Sequence, residues 1–493
     1  MKTFSCNIKK HDLHHLEIKT ILPIPLRGKA RFDLNFYLYS PAQLHITKEN
    51  LAIDKVLKQI QTYTRFSSPT LSLEKLIDSE CTLSPLYRIR RILEQAEISK
   101  EIDEKAIIYE LQTLVNTYRS NIKGFIALIE KMLKEGRVTQ SSYGKRIERI
   151  IQNSEAVLQK LQELYPEFLA PQISDTLRTA LRWSDETITL IAERRIIELR
   201  SLCEENSTLN SEMESINTFL DTISSYRVQQ QYRTVLRDGR KQNGEKVAYR
   251  DSILKKWSQS AMYMQAVESR LPKQINHIFA ATAAALAMTF AVLAAAYADT
   301  LFMRNSIPWA MLIIISYVFK DRIKEILREI FSRLMPKVLA DRIVRLKDPE
   351  TGKIAASSKE IIRFGKDRDQ PEDIRKTRNI AGNPFHAILP PQDVLHYNRI
   401  IRLKSALLKS HHRLESLSEI TRIRIDEWLK SMDDPEEIID KIEGGKRVRV
   451  PSDRVYHIHL IAALQEFRHD TAPQLFHYCL IMNRNGILRV EER

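Results

Sequence analysis

Two charge-free runs stand side by side in an otherwise charged chain. Residues 278–298 read IFAATAAALAMTFAVLAAAYA, twenty-one residues without a charge, and 305–319 read NSIPWAMLIIISYVF, fifteen more. A membrane-crossing helix needs ~20 such residues, so the first run predicts a span. The second is short and crosses only if neighbours are drawn in or the bilayer thins around it. The flanks repeat one sign of charge. Arg250, Lys255, Lys256, Arg270 and Lys273 precede the pair, while Lys320, Arg322, Lys324, Arg328 and Arg333 follow it. The connector between the runs holds Asp299 and a single arginine, Arg304. That asymmetry predicts a transmembrane hairpin (276–319) with both termini on the cytosolic side.

Ala283, Ala287, Ala291 and Ala295 recur every fourth residue of the first run. Helices in lipid associate through close packing of small residues. The stripe is therefore expected to pack against the second span or against another copy of the chain. Neither run holds a charged residue, so the hairpin reads as an anchor rather than a conduit. Beyond it, Ile323, Ile326, Leu327, Ile330, Phe331 and Leu334 follow a helical period. This predicts an amphipathic juxtamembrane helix over 320–345, lying on the leaflet or continuing as a stalk.

The arm before the membrane, 84–275, is expected to be helical. Ile108, Leu111, Val115, Tyr118, Ile122, Phe125, Ile129 and Met132 alternate spacings of three and four, the seam of a coiled coil or helical bundle. Residues 135–145 break that pattern. A second seam, Ile147, Ile151, Ser154, Leu158, Leu161 and Tyr165, completes an antiparallel hairpin. A third helix is expected from Ser174 to about Arg237, and a fourth from about Val247 into the first span.

The two ends read differently. In the N-terminal region, 1–83, Phe32, Leu34, Phe36 and Leu38 alternate with polar or aromatic residues, the period of a half-buried strand. Leu16–Leu22 is expected to pair with it. In 346–493, residues 454–464 and 475–482 are strand-like, and Asn485-Gly486 signals a turn. Too few strands lie at either end to bury a face alone, so the ends are expected to share one small antiparallel sheet. Between these, Arg342–Asn383 reads as loop with short elements and Tyr397–Met432 as helix. The fold class is thus a mainly α membrane protein with an α+β cytosolic domain.

Lysine and arginine total 77 against 62 aspartate and glutamate, a net charge of +15. Anionic lipid on the inner leaflet accounts for part of that excess. No recognition-helix or RNP-type pattern accompanies it, which ranks nucleic acid below lipid as a partner. Cys6, Cys81, Cys203 and Cys479 are widely spaced and read as reduced thiols. No phosphate-binding loop, nucleophile elbow or zinc-protease motif occurs, so no catalytic residue and no cofactor is expected.

His457, His459 and His477 are the weak metal candidates, with cross-strand packing the preferred reading because no carboxylate partner is evident. His11, His14 and His15 form a second histidine cluster. Asp433, Asp434, Glu436 and Glu437 form an acidic one, read as helix-terminal partners. FYLYSP, YTRFSSP and FKDRIKE are similar to bacterial membrane proteins, a likeness that points to no particular family and implies no activity. The functional expectation is a non-enzymatic, two-pass scaffold in the bacterial inner membrane, self-associating through the alanine stripe or the helical seams. The alternatives are a membrane-bound enzyme centred on His457 and His459, or a soluble basic nucleic-acid binder.

Overall fold

Strands at the start of the chain are laid down before any helical arm appears. In the computed structural model, β1 (Ser5–Lys10), β2 (His15–Pro23), β3 (Lys29–Ser40), α1 (Ile53–Gln59) and β4 (Ile60–Phe66) come first. A run of helices follows: α2 (Leu73–Ile77), α3 (Pro85–Ser99), α4 (Glu104–Glu135), α5 (Gln140–Gln162), α6 (Tyr165–Phe168), α7 (Asp175–Glu204), α8 (Met213–Gln229) and α9 (Lys241–Ser260). The short strand β5 (Gln265–Glu268) precedes two long helices, α10 (Leu271–Leu301) and α11 (Ile307–Val338). The remainder is β6 (Arg342–Lys347), β7 (Ile354–Lys366), α12 (Glu372–Arg378), β8 (Asp393–Lys404), β9 (Ser416–Arg424), α13 (Asp426–Leu429), β10 (Glu436–Glu443), β11 (Lys446–Asp453), β12 (Tyr456–Glu466), β13 (Gln474–Asn483) and β14 (Gly486–Glu492). The structure describes all residues except 1–3, 25–27, 68–70, 100, 136–139, 206–212, 237–239, 270, 305, 339, 379–390, 405–415 and 468–471. The chain is α+β.

The strands form an eight-stranded antiparallel sheet, β14-β13-β12-β3-β8-β7-β6-β5, and a four-stranded one, β1-β2-β9-β4. One apolar core lies between them, holding Leu16 and Ile18 of β2, Phe32 and Phe36 of β3, and Leu460 of β12. The expected union of the chain ends is present, since β3 pairs with β12 along Phe32–Tyr39. Three expectations fail. β2 does not pair with β3; it lies between β1 and β9 in the other sheet. Residues 342–366 hold strands β6 and β7 rather than loop, and the described part of the region read as the helix Tyr397–Met432 holds β8 and β9, with α13 its one helical turn; 405–415 lie outside the described residues. The part of the loop expectation at 379–383 lies outside the described residues.

The helical arm is an insertion. Its entry and exit touch, because Phe66 N donates to Met262 O (2.7 Å) and Met264 N to Thr64 O (2.9 Å). The arm has its own core, to which both predicted seams contribute: Leu111, Val115, Tyr118 and Ile122 of α4, and Ile147, Leu158 and Leu161 of α5. Both seams enter one core of the same chain, but not as the expected antiparallel hairpin of α4 on α5: α4 packs chiefly against α7, α3 and α9 and α5 against α2 and α7, and α7 packs against α4, α5, α8 and α9. The expected unbroken third helix is instead the packed pair α7 and α8, on either side of 206–212. The fourth helix starts at Lys241 and stops at Ser260, so it does not run into the first span.

Residues 262–268 intervene as a strap, first bridging to β4 at Arg65–Tyr263 and then pairing with β6. The hairpin α10–α11 is thus a second insertion, between paired strands β5 and β6. Arm and hairpin boundaries accordingly fall at the strap rather than at 275, and 320–338 belongs to α11 as a continuous stalk.

Candidate functional site

The hairpin carries the strongest surface anomaly among the described residues. On α10, Leu286, Phe290, Leu293 and Tyr297 are exposed, and on α11 so are Met311, Ile314, Val318 and Phe319. Isolated exposed apolar residues are ordinary, but contiguous apolar surface marks an interface or a membrane. Ala283, Ala287 and Ala291 are buried together with Ala298, while Ala295 is only half-buried. α10 packs against α11. Ser316 is buried on the α11 side.

At the tip, Trp309 Nε1 donates to Asp299 Oδ1 (2.7 Å) and Arg304 pairs with Asp299 (3.2 Å). This link sets Trp309 level with Asp299, so in an antiparallel pair Phe319 falls about level with Thr289. The α10 segment Ala280–Leu301, of mean hydropathy 1.8, is long and apolar enough to cross a membrane. Among the described residues it is the one such segment. The apolar part of α11, 307–319, rises only ~20 Å before charge begins, against ~30 Å of hydrocarbon.

Of the basic flanking residues, Lys320 is half-buried, and Arg322 and Lys324 are exposed with Arg322 paired to Glu325 (3.3 Å). Lys273 lies on α10 and Arg328 on α11; Arg270 lies outside the described residues.

The base of the hairpin is fastened by ion pairs and backbone bonds. Asp341 Oδ2 accepts from Ile362 N (2.7 Å), and Arg342 donates to the carbonyls of Leu57 (3.1 Å) and Ile60 (3.3 Å). Arg342 also pairs with Glu360 (2.5 Å). Glu360 in turn meets Arg399 (2.7 Å), and Arg399 meets Glu419 across the two sheets (2.7 Å). Arg399, Glu360 and Glu419 are fully buried. Burial pushes Glu419 up to about 7, against the opposing pull of Arg399 and of the Thr64 hydroxyl. Removing one member would strand a buried charge, which makes such a network rigid.

A second polar network lies within the arm. Asp185 of α7 accepts phenolic hydrogens from Tyr165 (2.9 Å), Tyr226 (2.5 Å) and Tyr232 (2.8 Å), tying α7 to the segments around it. Burial pushes its carboxyl above the ordinary carboxylate range, and the three tyrosine hydrogen bonds hold it back. Glu186, next in sequence, accepts from Arg250 Nε (3.2 Å) and Nη2 (2.6 Å) and from Thr234 N (3.2 Å). The sequence reading missed this cluster. The only signal was an acidic pair, Asp185-Glu186, in a helix otherwise patterned for packing.

Two of the histidine candidates meet across neighbouring strands. His459 Nδ1 and His477 Nε2 stand 3.0 Å apart on neighbouring strands. Burial, then the Arg378 guanidinium, lowers His459 to about 3 and His477 to about 4. His457 is on the same strand face as His459 and is lowered by burial and by Arg493. Among the described residues no group of three or more histidine, cysteine or acidic side chains is placed to hold a metal ion. His15 pairs with Asp12 (2.9 Å), His14 with Asp426 (3.0 Å) and His11 with Glu17 (3.6 Å), so each N-terminal histidine has its own acid. The acidic run is paired too, Asp433 with Arg454 (3.6 Å), Asp434 with Arg484 (3.3 Å) and Glu437 with Arg454 (3.8 Å). Glu436 and Glu437 lie on β10 rather than at a helix end. Cys6, Cys81, Cys203 and Cys479 are free thiols.

Comparison with protein-family models, with curated proteins and with solved structures finds no match.

Proposed function

We propose that the protein is a two-pass membrane scaffold, its β-sandwich and helical arm held on the cytosolic side of a bacterial inner membrane by the α10–α11 hairpin. One observation carries the reading: a long helical pair with apolar side chains turned outward leaves the sandwich at β5–β6. In water that surface would be costly to expose; in lipid it is solvated. α11 completes its crossing by the snorkelling of Lys320, Arg322 and Lys324 toward the inner headgroups. Their charge, with the chain's excess of lysine and arginine, suits an anionic leaflet.

An alkaline carbonate wash of membranes tests the anchor, and the protein is expected in the pellet. Leu301→Cys and Glu350→Cys variants test the topology. An impermeant thiol reagent on intact cells should label the first and spare the second; equal labelling of both overturns the hairpin topology.

A further inference from the structure

The geometry points to a binding groove on the helical arm for a phosphate monoester that carries an apolar or aromatic group, a site independent of the membrane reading. Two adjoining cavities share the walls formed by Gln231, Tyr232, Arg233 and Arg250. The smaller, about 330 Å³, is cationic, with Arg182, Arg233 and Arg250 on its lining and Glu186 as the one acid there. The larger, about 450 Å³, is walled by Val235, Val247, Tyr249 and Ile253. The second volume lies within the range of small-molecule sites.

The head of the ligand follows from charge. Three guanidinium groups against one carboxylate leave a surplus of two positive charges, which matches a phosphate dianion better than a carboxylate. Guanidinium groups also present forked donors that fit phosphate oxygens. Arg250 uses Nε and Nη2 on Glu186 and lies over the Trp183 ring at 4.9 Å. It is therefore fixed in place with its remaining nitrogen available.

Among the described residues, Arg233 has no acidic partner and Arg182 donates to the Gln230 carbonyl (3.2 Å). The body of the ligand follows from the apolar cavity alongside.

The loop that carries Arg233 is held in shape beforehand. Gln231 adopts a left-handed backbone (φ 54°), a conformation that costs a non-glycine residue ~1 kcal/mol or more and persists where the surroundings enforce it. Those surroundings are the buried networks already described. Tyr232 is tied to Asp185, and Thr234 to Glu186. Buried Arg227 donates to the Thr234 carbonyl (3.1 Å) and hydroxyl (3.0 Å). Pre-organisation of this kind lowers the cost of binding.

Calorimetric titration of the purified full-length protein with hexyl phosphate, AMP and inorganic phosphate tests the site. Hexyl phosphate or AMP should bind saturably at one site, roughly tenfold or more tighter than inorganic phosphate. The tighter of the two assigns the source as lipid-derived or nucleotide. Arg233→Ala and Arg182→Ala should each weaken that binding by roughly tenfold with the melting temperature unchanged. Ile253→Ser should erase only the advantage over inorganic phosphate. Absence of saturable binding, equal affinity for all three anions, or binding untouched by both arginine variants overturns the assignment.

Discussion

At the scale of single residues, close backbone approach and buried imidazoles make the sharpest predictions. Gly486 opens β14 at φ 135°, and a Cβ there would stand 2.3 Å from the Leu13 carbonyl oxygen. That carbonyl accepts from Ile487 N (2.8 Å), so it cannot withdraw without breaking the link between the chain ends. Gly486→Ala should cost ~2 kcal/mol or more, read as a lowered denaturation midpoint. The turn was legible in the sequence but one residue late, since it falls at Arg484-Asn485 with Gly486 already paired to Asn483; the contact with Leu13 was not legible, because nothing local encodes it. His396, stacked on Tyr37 at 4.3 Å, is lowered by burial to about 4, joining His459 and His477. A histidine whose folded value is depressed contributes stability above its unfolded value near 6.5 and loses it as pH falls toward the folded one. Glu419 opposes them, since a raised carboxyl favours the fold at low pH and loses that share as pH rises through about 7. With three groups against one, thermal stability should drop between pH 6.5 and 4. His396 alone accounts for ~3 kcal/mol at the acid end. His396→Gln should flatten the slope, and an unchanged slope would exclude this cause.

At the scale of elements, the sequence was readable where apolar residues keep an unbroken period and opaque where buried charges interrupt it. The α4 and α5 seams show their period because one side of each helix is polar. β3 also showed its period, with Phe32, Leu34, Phe36 and Leu38 entering the main core. Its other face is covered too, since Tyr37 and Tyr39 join a smaller cluster with Ile374 of α12. In β8 a buried charge breaks the apolar period: Tyr397, Ile401 and Leu403 face the core, and buried Arg399 lies among them. Its charges and paired isoleucines imitate a helix. β7 hides for a related reason, as Glu360 looks like a surface residue until Arg399 and Arg342 are placed beside it. The β10–β11 ribbon is the opposite case. Its turn is Gly444-Gly445, both at positive φ as a two-residue hairpin requires, and none of its residues is buried. Ile438, Ile439 and Ile442 are exposed on it. An element that buries nothing contributes nothing to the core. Replacing 436–453 by a Gly-Gly link should therefore leave the melting temperature within ~2 °C, by differential scanning calorimetry. A larger fall would mean that the ribbon folds back onto the sandwich.

At the scale of the whole molecule, one topological rule organises the chain: helices are inserted between strands that remain neighbours. The arm leaves after β4 and returns at Met262 beside it; the hairpin leaves after β5 and returns as β6 paired with it. The sequence showed the insertions as composition changes but not their attachment points, because a four-residue strand such as β5 carries no periodic signal. This arrangement leaves the hairpin, the proposed anchor, outside the register of the sandwich. The strands that flank the hairpin are already held in register, Glu268 opposite Val344 and Gln265 opposite Lys347. A short turn can therefore replace everything between them. The stabilising contacts of Asp341 and Arg342 lie on the sandwich side of the cut and should be kept, so the excision is best made from 271 to 338, closed by a Gly-Ser linker. Loop length enters folding free energy only logarithmically, ~0.6 kcal/mol per doubling, so shortening this connection should not destabilise the sandwich. The exposed apolar surface leaves with the hairpin. The excised protein should move from the carbonate-resistant pellet to the soluble fraction and keep the circular dichroism of both strands and arm helices. Its cooperative melt should be that of the detergent-solubilised parent. If it is soluble but unfolded, the hairpin is a structural member of the sandwich; if it is folded but still sediments with membranes, the anchor lies elsewhere.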